Sequence, residues 1–271
     1  MYKIIKIFLS AMIVCLSLPN ISAYGEENSG AYAGVTNDIR EVLHVKENRS
    51  NQCYIAYTTD NLNMRSEPNL EAEILYIIPF NSEILICDYN DNWEMVFCKY
   101  HNNDSKIDIA YISKKYISNE TCKSAMYNFP TNSGFKSFMP YTAITDISSM
   151  QYELQISLAH TGNFGIRQVG DRYCVAVGSA FNVDVGTYID LILENGNIIQ
   201  CIVGDIKSPN DTLEDNITTA ENGCVSEFIV DTNFLESDIK RDGDISSCNV
   251  GWDSPVDSLI VYDKNILKQG E

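Results

Sequence analysis

The chain is short of positive charge. Of its 271 residues, 19 are lysine or arginine and 37 are aspartate or glutamate, a formal net charge of −18 at pH 7. A surface of this sign repels nucleic acid and anionic lipid, so we expect neither as a partner. The acids are scattered among hydrophobic residues that make up 45% of the chain, which indicates a folded acidic protein rather than a disordered tail.

Long apolar runs are also absent beyond the N-terminus. Residues 7–18 form an apolar run that follows Lys3 and Lys6 and precedes the small-residue site Ile21-Ser22-Ala23. The run is too short and wrongly flanked for a membrane span, and it predicts a signal peptide over residues 1–23. We therefore expect a secreted protein with no membrane segment after cleavage. Losing the two lysines takes its charge to −20.

Metal-binding motifs are missing as well. The sequence has no CxxC or CxxH pair, and its three histidines are isolated. The segment Asp242-Gly243-Asp244 lacks the further ligands and the final glutamate of a calcium-binding EF-hand loop, so it predicts a turn. We expect neither a metal site nor a cofactor.

Eight cysteines remain after cleavage, in two sets of four. They are Cys53, Cys87, Cys98 and Cys122, then Cys174, Cys201, Cys224 and Cys248. In an exported chain this predicts two disulfides in each half, and the alternative is buried thiols that act as small hydrophobes. Each set allows three connectivities. The turn at residues 88–92 favours Cys87 opposite Cys98, which leaves Cys53 to pair with Cys122.

The remaining pattern predicts two small β-rich domains. We interpret residues 24–52 as a linker with a short helix at 39–45, residues 53–118 as a first domain, 119–141 as a second linker and 142–265 as a second domain. The strands predicted for the first domain are Tyr54–Thr58, Leu62–Arg65, Ile74–Ile78, Glu83–Tyr89, Trp93–Tyr100 and Ile107–Ile112. Those predicted for the second include Cys174–Val177, Tyr188–Leu193 and Ile198–Val203, with a hairpin at Asn195-Gly196 and a helix at Met150–Leu158.

The first domain resembles bacterial SH3 domains, small barrels found in secreted cell-wall enzymes. Its segment Leu62-Asn63-Met64-Arg65-Ser66-Glu67-Pro68 is close to the family's Leu-Asn-Val-Arg-Ser-x-Pro, with support from Ile84 to Cys87, Asn92 to Val96, Tyr111-Ile112 and Tyr116-Ile117. The resemblance implies an SH3-like barrel that recognises peptidoglycan glycan or stem peptides.

Four residues of this domain are candidate substrate-binding groups. Tyr57, Trp93 and Tyr111 offer flat apolar faces with polar tips, and Arg65 offers a partner for a ligand carboxylate. The alternative for each aromatic residue is a half-buried strand position, and for Arg65 an ion pair with Glu67.

The second domain resembles the double-psi β-barrels of rare lipoprotein A and of the three-aspartate cell-wall proteins. The matching segments are Val175 to Ser179, Val185 to Leu191, Glu194 to Gly196, Ile202 to Pro209 and Glu227 to Asp231. The resemblance implies a six-stranded double-psi β-barrel.

The segment Ile202 to Pro209 carries the family's aspartate, as Asp205, and makes it the candidate catalytic acid. The families have a histidine or an aspartate where this chain has Gly178-Ser179, so only one of the two catalytic positions matches. Gly204 is a candidate bulge that re-aims Asp205. The alternative for Asp205 is a turn-initiating residue.

Several other polar residues are weaker candidates. Ser179 is a candidate for orienting substrate, and His160 for replacing the missing histidine, with a surface position as the alternative. We interpret Asp190, Glu227 and Asp231 as carboxylates on the solvated side of their strands.

Together these features favour a secreted peptidoglycan enzyme, a lytic transglycosylase or glycan hydrolase targeted to the cell wall by its SH3-like module. A transglycosylase needs one acid of raised pKa, whereas a hydrolase usually needs two carboxylates. The alternatives are a non-catalytic peptidoglycan- or envelope-binding protein and, more distantly, a secreted factor that acts on host surfaces.

Overall fold

A computed structural model describes residues 31–33, 53–100, 107–129 and 134–268. The expected signal peptide over 1–23 and the predicted helix at 39–45 lie outside these residues. Where it is described, the chain is mainly β, and it divides into two compact units, Met1–Cys122 and Lys123–Glu271. None of the described helices is long and apolar enough to cross a membrane.

The first unit is built on one antiparallel sheet. Its strands are β1 Ala31–Ala33, β2 Cys53–Thr58, β3 Leu62–Arg65, β4 Ile74–Ile78, β5 Glu83–Asp88, β6 Trp93–Tyr100, β7 Ile107–Ser113 and β8 Ile117–Ser118. They are hydrogen-bonded in the order β4-β3-β7-β6-β5-β2-β8, with β1 beside β6. Each of the six predicted strands is confirmed to within one residue at its ends. The pairings among the described strands form an open path and not a closed barrel.

Alternation along these strands separates the core of the first unit from its opposite face. The core side chains include Ala56, Leu62, Met64, Ile84, Ile86, Val96, Ala110 and Ile112. Because successive strand residues point to opposite faces, Arg65 and Tyr111 stand on the other side. The opposite face carries a smaller buried cluster of Cys87 and Met95, with Tyr89 and Tyr111 packed against it.

The second unit is built on a mixed sheet. Its strands are β9 Ser124–Asn128, β10 Phe138–Pro140, β11 His160–Thr161, β12 Arg167–Val169, β13 Arg172–Val177, β14 Thr187–Leu193, β15 Ile198–Ile206, β16 Ser226–Val230 and β17 Val256–Asn265. The order is β10-β16-β13-β15-β14-β17-β9, with β12 also on β13 and β11 on β12. The pairs β13–β15 and β10–β16 are parallel, and the others are antiparallel.

Part of the segment expected to be the second linker belongs to this sheet. Strands β9 and β10 both lie within residues 119–141. Tyr127 and Phe138 pack against the core cluster of the unit, and their burial explains why the segment is held as strand. The sequence predicts a linker with an extended piece at 119–141, and its extended stretches are strands β9 and β10 of the second unit.

One helical segment covers the second unit near its candidate site. Helix α1 spans Met150–Glu153 and begins at Ser149, whose hydroxyl accepts a hydrogen bond from the Tyr152 amide at 3.1 Å. The predicted helix continues over Leu154–Leu158 as a wider π-helical turn. Arg167 holds the end of this turn by donating to the carbonyl oxygens of Gln155 and Ala159. A second short helix, α2, spans Ser237–Asp242.

The cysteine pairing differs from the expected one. Cys53 and Cys87 lie directly opposite each other on β2 and β5 and form a disulfide. The pairings Cys53 with Cys122 and Cys87 with Cys98 are therefore wrong. The predicted turn at residues 88–92 placed Cys98 of β6 opposite Cys87. In the structure, the residue of β6 that lies opposite Cys87 is Met95. The sulfur of Cys87 bonds instead to Cys53 on β2, the neighbour of β5 on its other side.

The four cysteines of the second unit are buried thiols and not disulfides. They are Cys174, Cys201, Cys224 and Cys248. Tyr173 is the register partner of Cys201, so Cys174, the next residue, points to the opposite face of the sheet from Cys201. Burial raises the pKa of Cys174 to about 12 and that of Cys248 to about 11. These side chains fill the core as small hydrophobes, the alternative that the sequence left open.

Candidate functional site

Asp205 lies on a bulge of β15. Val203 pairs with Val175 on β13, and Asp205 pairs with the next residue, Ala176, so Gly204 is the extra residue. The expected bulge is therefore present. A Cβ atom on Gly204 would lie 2.6 Å from Ile229 Cδ1, which explains why glycine occupies this crowded position.

The bulge brings Asp205 to the face of the sheet that is opposite the core. Val175 and Val177 both belong to the core cluster, so Ala176 between them points away from the core. Asp205 is the register partner of Ala176, so it points away from the core as well. The Oδ1 atom of Asp205 accepts a hydrogen bond from the Ile206 amide at 2.9 Å. The side chain is half-buried, between the solvated and fully buried extremes.

Burial is the largest influence on the pKa of Asp205, and it raises that pKa above the usual aspartate range. The Ile206 amide, the Gln151 side chain and the charge of Lys207 act in the opposite direction, and Asp211 adds to the rise. Asp205 therefore keeps its proton to a higher pH than an exposed aspartate does. That property suits a group that must donate a proton near neutral pH.

A second carboxylate faces the same way from the other neighbour of β13. Ala176 pairs with Asp205 on one side and with Glu227 of β16 on the other. Two strand spacings separate the carboxylate-bearing residues, about 10 Å between Cα atoms. Glu227 Oε1 accepts hydrogen bonds from Ser137 Oγ at 3.1 Å and from Asn222 Nδ2 at 3.2 Å.

Lys207 is paired with one of the two carboxylates, Glu227. Its ammonium lies 3.4 Å from Glu227 Oε2 and also contacts the Thr219 hydroxyl, and its side chain is 3% exposed. Burial lowers the pKa of Lys207, while the charge of Glu227 and its hydrogen bond raise it. The sequence analysis missed this residue. Its position two residues after Asp205, at the period of the strand, was the available signal.

The three acids interpreted as solvated strand residues are instead held by protein partners. Glu227 lies opposite the core, but it is paired with Lys207. Asp190 is 5% exposed and binds Arg172 Nη1 at 2.8 Å and the Tyr262 hydroxyl at 2.9 Å. These two partners come from β13 and β17. Asp231 is also buried, 7% exposed. The solvated interpretation is wrong for Asp190 and Asp231, whereas Glu227 lies on the face opposite the core with its side chain 20% exposed.

His160 remains apart from this cluster, whereas Ser179 follows the end of β13 by two residues. Both are exposed, Ser179 at the start of a 3-10 turn and His160 on β11. Thr161, next to His160, hydrogen-bonds Asp231 at the far end of β16 from Glu227. The structure therefore does not bring His160 to Asp205.

All four candidate binding residues of the first unit point to the face opposite the core, and three of them are close neighbours there. Tyr111 pairs with Arg65 on one side and with Met95 on the other, and Trp93 precedes Met95 by two residues. The Tyr89 ring packs edge-on against Tyr111, with 4.9 Å between ring centroids. Arg65 Nη1 donates to the Ala72 carbonyl at 2.7 Å, which holds the guanidinium beside this face.

Tyr57 is separated from that group. It lies on β2 four residues beyond Cys53, and its hydroxyl donates to Glu83 Oε2 at 3.2 Å. We name the surface formed by Arg65, Tyr89, Trp93, Met95 and Tyr111 the aromatic face. It combines flat rings with one cation, a combination that suits a polar ligand with apolar ring surfaces.

Comparison with known proteins adds no relative. No protein-family model, no curated protein and no solved structure matches the chain. Over the residues that the structure describes, no three His, Cys, Asp or Glu side chains are grouped so as to hold a metal ion. The carboxylate cluster of the second unit and the aromatic face of the first are the two candidate sites.

Proposed function

We propose that this protein is a secreted, lytic transglycosylase-like enzyme that cleaves the glycan strands of peptidoglycan. In this proposal the second unit is a double-psi β-barrel-like catalytic domain and the first an SH3-like module that binds the cell wall. The sequence resemblances support both assignments. The observation that carries the proposal is the half-buried position of Asp205 on the β15 bulge, where burial raises its pKa.

The chemistry needs one proton donor at the glycosidic oxygen. Asp205 gives its proton to that oxygen as the bond to the anomeric carbon breaks. The 6-hydroxyl of the same muramyl residue attacks the anomeric carbon and closes a 1,6-anhydro ring, and its proton goes to the Asp205 carboxylate left by the first transfer. Proton donation by a positioned carboxylic acid contributes roughly 10²–10⁴-fold in rate, provided that the acid is protonated at the working pH.

The test is the release of anhydro-muropeptides from purified sacculi, measured by mass spectrometry. We expect release by the wild-type protein and a loss of about 10²-fold or more for Asp205→Asn. The control is Asp257→Asn, which changes an exposed aspartate on β17 and should release product at the wild-type rate. Equal release by Asp205→Asn and wild type would contradict the assignment of Asp205.

A second function, peptidoglycan binding without cleavage, is favoured by the aromatic face. Such a protein would pellet with sacculi and release nothing. We expect Arg65→Ala and Trp93→Ala to reduce pelleting about tenfold, and Tyr116→Ala, an exposed tyrosine outside that face, to leave it unchanged. Pelleting that is insensitive to Arg65 and Trp93 would remove the aromatic face from either function.

A further inference from the structure

Two glutamines of the helical segment face the bulge of β15. Gln151 lies on helix α1, and its side chain is hydrogen-bonded to Asp205. Gln155 follows four residues later in the wider turn, and its Nε2 atom lies 3.2 Å from the position that a Cβ atom on Gly204 would take. Side chains four residues apart lie on the same face of a helix. One face of the segment therefore contacts both residues at which the strand is re-aimed.

The segment that carries Gln151 is fixed on both sides of it. Ser149 caps the start of α1, where its hydroxyl accepts from the Tyr152 amide at 3.1 Å. Gln155 is 1% exposed, and its Oε1 atom accepts a hydrogen bond from Arg167 Nε at 3.1 Å. A side chain on an element that is held in this way has few orientations open to it, so it can fix the group that it contacts.

Asp205 has two hydrogen-bond donors of different origin. The Ile206 amide, which donates to Oδ1 at 2.9 Å, belongs to the next residue and follows the backbone of the bulge. The Gln151 side-chain amide comes from another element, so it fixes the carboxyl group relative to the rest of the unit. Proton transfer depends on such alignment, because a misplacement of about 1 Å can cost about 10²-fold in rate.

We propose that Gln151 is a positioning residue for Asp205, whose carboxyl group it holds from α1 in the orientation used for proton donation. The inference rests on the proposed cleavage of glycan strands by Asp205. Gln151 itself neither gives nor takes a proton, since its amide only donates or accepts hydrogen bonds. It acts on the reaction through Asp205, and this distinguishes it from a residue that only packs α1 against the sheet.

A donor from Gln151 also affects the titration of Asp205. Burial raises the pKa of Asp205, whereas the Gln151 hydrogen bond lowers it, because a donor stabilises the charged form. The charged groups that act on Asp205 are Lys207, which lowers its pKa, and Asp211, which raises it. Substitution of Gln151 leaves both charges in place. Loss of the Gln151 donor should therefore raise the pKa of Asp205 further.

The first measurement is a carbon-13 NMR titration of the Asp205 carboxyl group in the full-length protein, with the signal assigned by its absence from Asp205→Asn. Gln151→Met keeps the length of the side chain and removes the donor, whereas Gln151→Ala removes both. We expect Asp205 to titrate at a higher pH in both variants than in the wild type. The control is Met150→Ala, which shortens an exposed neutral residue of the same helix and should leave the titration unchanged.

The second measurement is the release of anhydro-muropeptides from sacculi as a function of pH. On the low-pH plateau, where Asp205 is protonated in every protein, we expect Gln151→Met to release product about tenfold more slowly because the acid is misaligned. The fall in its activity at alkaline pH should move to higher pH. In an Asp205→Asn background the same substitution should have no further effect, since Gln151 acts through Asp205. Met150→Ala should match the wild type at every pH.

The outcomes separate this inference from the proposed function. An unchanged Asp205 titration in Gln151→Met, or release by that variant at the wild-type rate, overturns the role of Gln151 and leaves Asp205 in place. A tenfold loss that persists in the Asp205→Asn background overturns it as well, because it shows a structural role. Circular dichroism and urea unfolding show whether each variant is folded. A wild-type protein that releases no product overturns the proposed cleavage itself, whatever the titration shows.

Discussion

At the scale of single residues, the rise in the pKa of Asp205 has a consequence for stability. The folded protein binds this proton more tightly than the unfolded chain does, since burial favours the neutral form. Stability therefore falls as pH rises between the unfolded pKa of Asp205, about 3.9, and its higher folded value. Above that pH window the charged Asp205 side chain lowers the free energy of unfolding by a constant amount.

We expect Asp205→Asn to be more stable than the wild type at pH 7, because the amide has no proton to lose and still accepts from the Ile206 amide. The gain should vanish below about pH 3.9, where both proteins carry a neutral side chain. The difference in the free energy of unfolding is measured by urea unfolding at pH 7 and at pH 3. The unfolding signal is the fluorescence of Trp252 in proteins that also carry Trp93→Phe. Asp257→Asn should show no such pH dependence, and an Asp205→Asn protein less stable at pH 7 would contradict the expectation.

Some residues of the candidate site could be predicted from the sequence, and others could not. Asp205 was identified because a motif of consecutive residues carries it, together with the glycine that re-aims it. The ion pair between Lys207 and Glu227 was not predicted, because the two residues are separated in sequence by the loop between β15 and β16. A pairing of that kind depends on the register of the sheet, and no local pattern specifies that register.

At the scale of elements, the bulge of β15 is fixed by what packs on Gly204. An added Cβ would lie 2.6 Å from Ile229 Cδ1, 3.2 Å from Gln155 Nε2 and 3.3 Å from Cys174 Cβ. The neighbours come from β16, the helical turn and β13, so three elements meet at this one position. The bulge that aims Asp205 is therefore coupled to the packing around it.

We expect Gly204→Ala to lower the free energy of unfolding by about 1–3 kcal/mol through overpacking. Ile229→Val removes the nearest methyl group and alone should cost about 0.5–1.5 kcal/mol. The double variant should be more stable than the sum of the two single losses implies, as measured in a double-mutant cycle by urea unfolding. Strictly additive losses would show that the Ile229 methyl does not restrict Gly204.

The elements that could be predicted are those with a local signal. Strands β3, β4 and β6 match their predicted ends because alternating apolar residues are bounded by turn residues. Strand β10 was missed because it has three residues, ends in a proline and is held by a parallel pairing with the distant β16. The parallel pair β13–β15 is likewise a long-range feature.

At the scale of the whole molecule, the two units use cysteine in different ways. The first contains a disulfide between β2 and β5, whereas the four cysteines of the second are buried thiols. Each unit also contains one of the two tryptophans of the chain, Trp93 in the first and Trp252 in the second. The stability of each unit is therefore open to separate measurement in the intact protein.

We expect reduction with a phosphine to lower the free energy of unfolding of the first unit by about 2–4 kcal/mol and to leave the second unchanged. The disulfide joins residues 34 positions apart, and a cross-link of that span removes conformational entropy from the unfolded chain. Urea unfolding of Trp252→Phe reports on the first unit and that of Trp93→Phe on the second, each measured with and without reductant so that the cost of the substitution cancels. A shift of the second transition on reduction would show that its cysteines pair after all, because buried thiols have no bond for the phosphine to break.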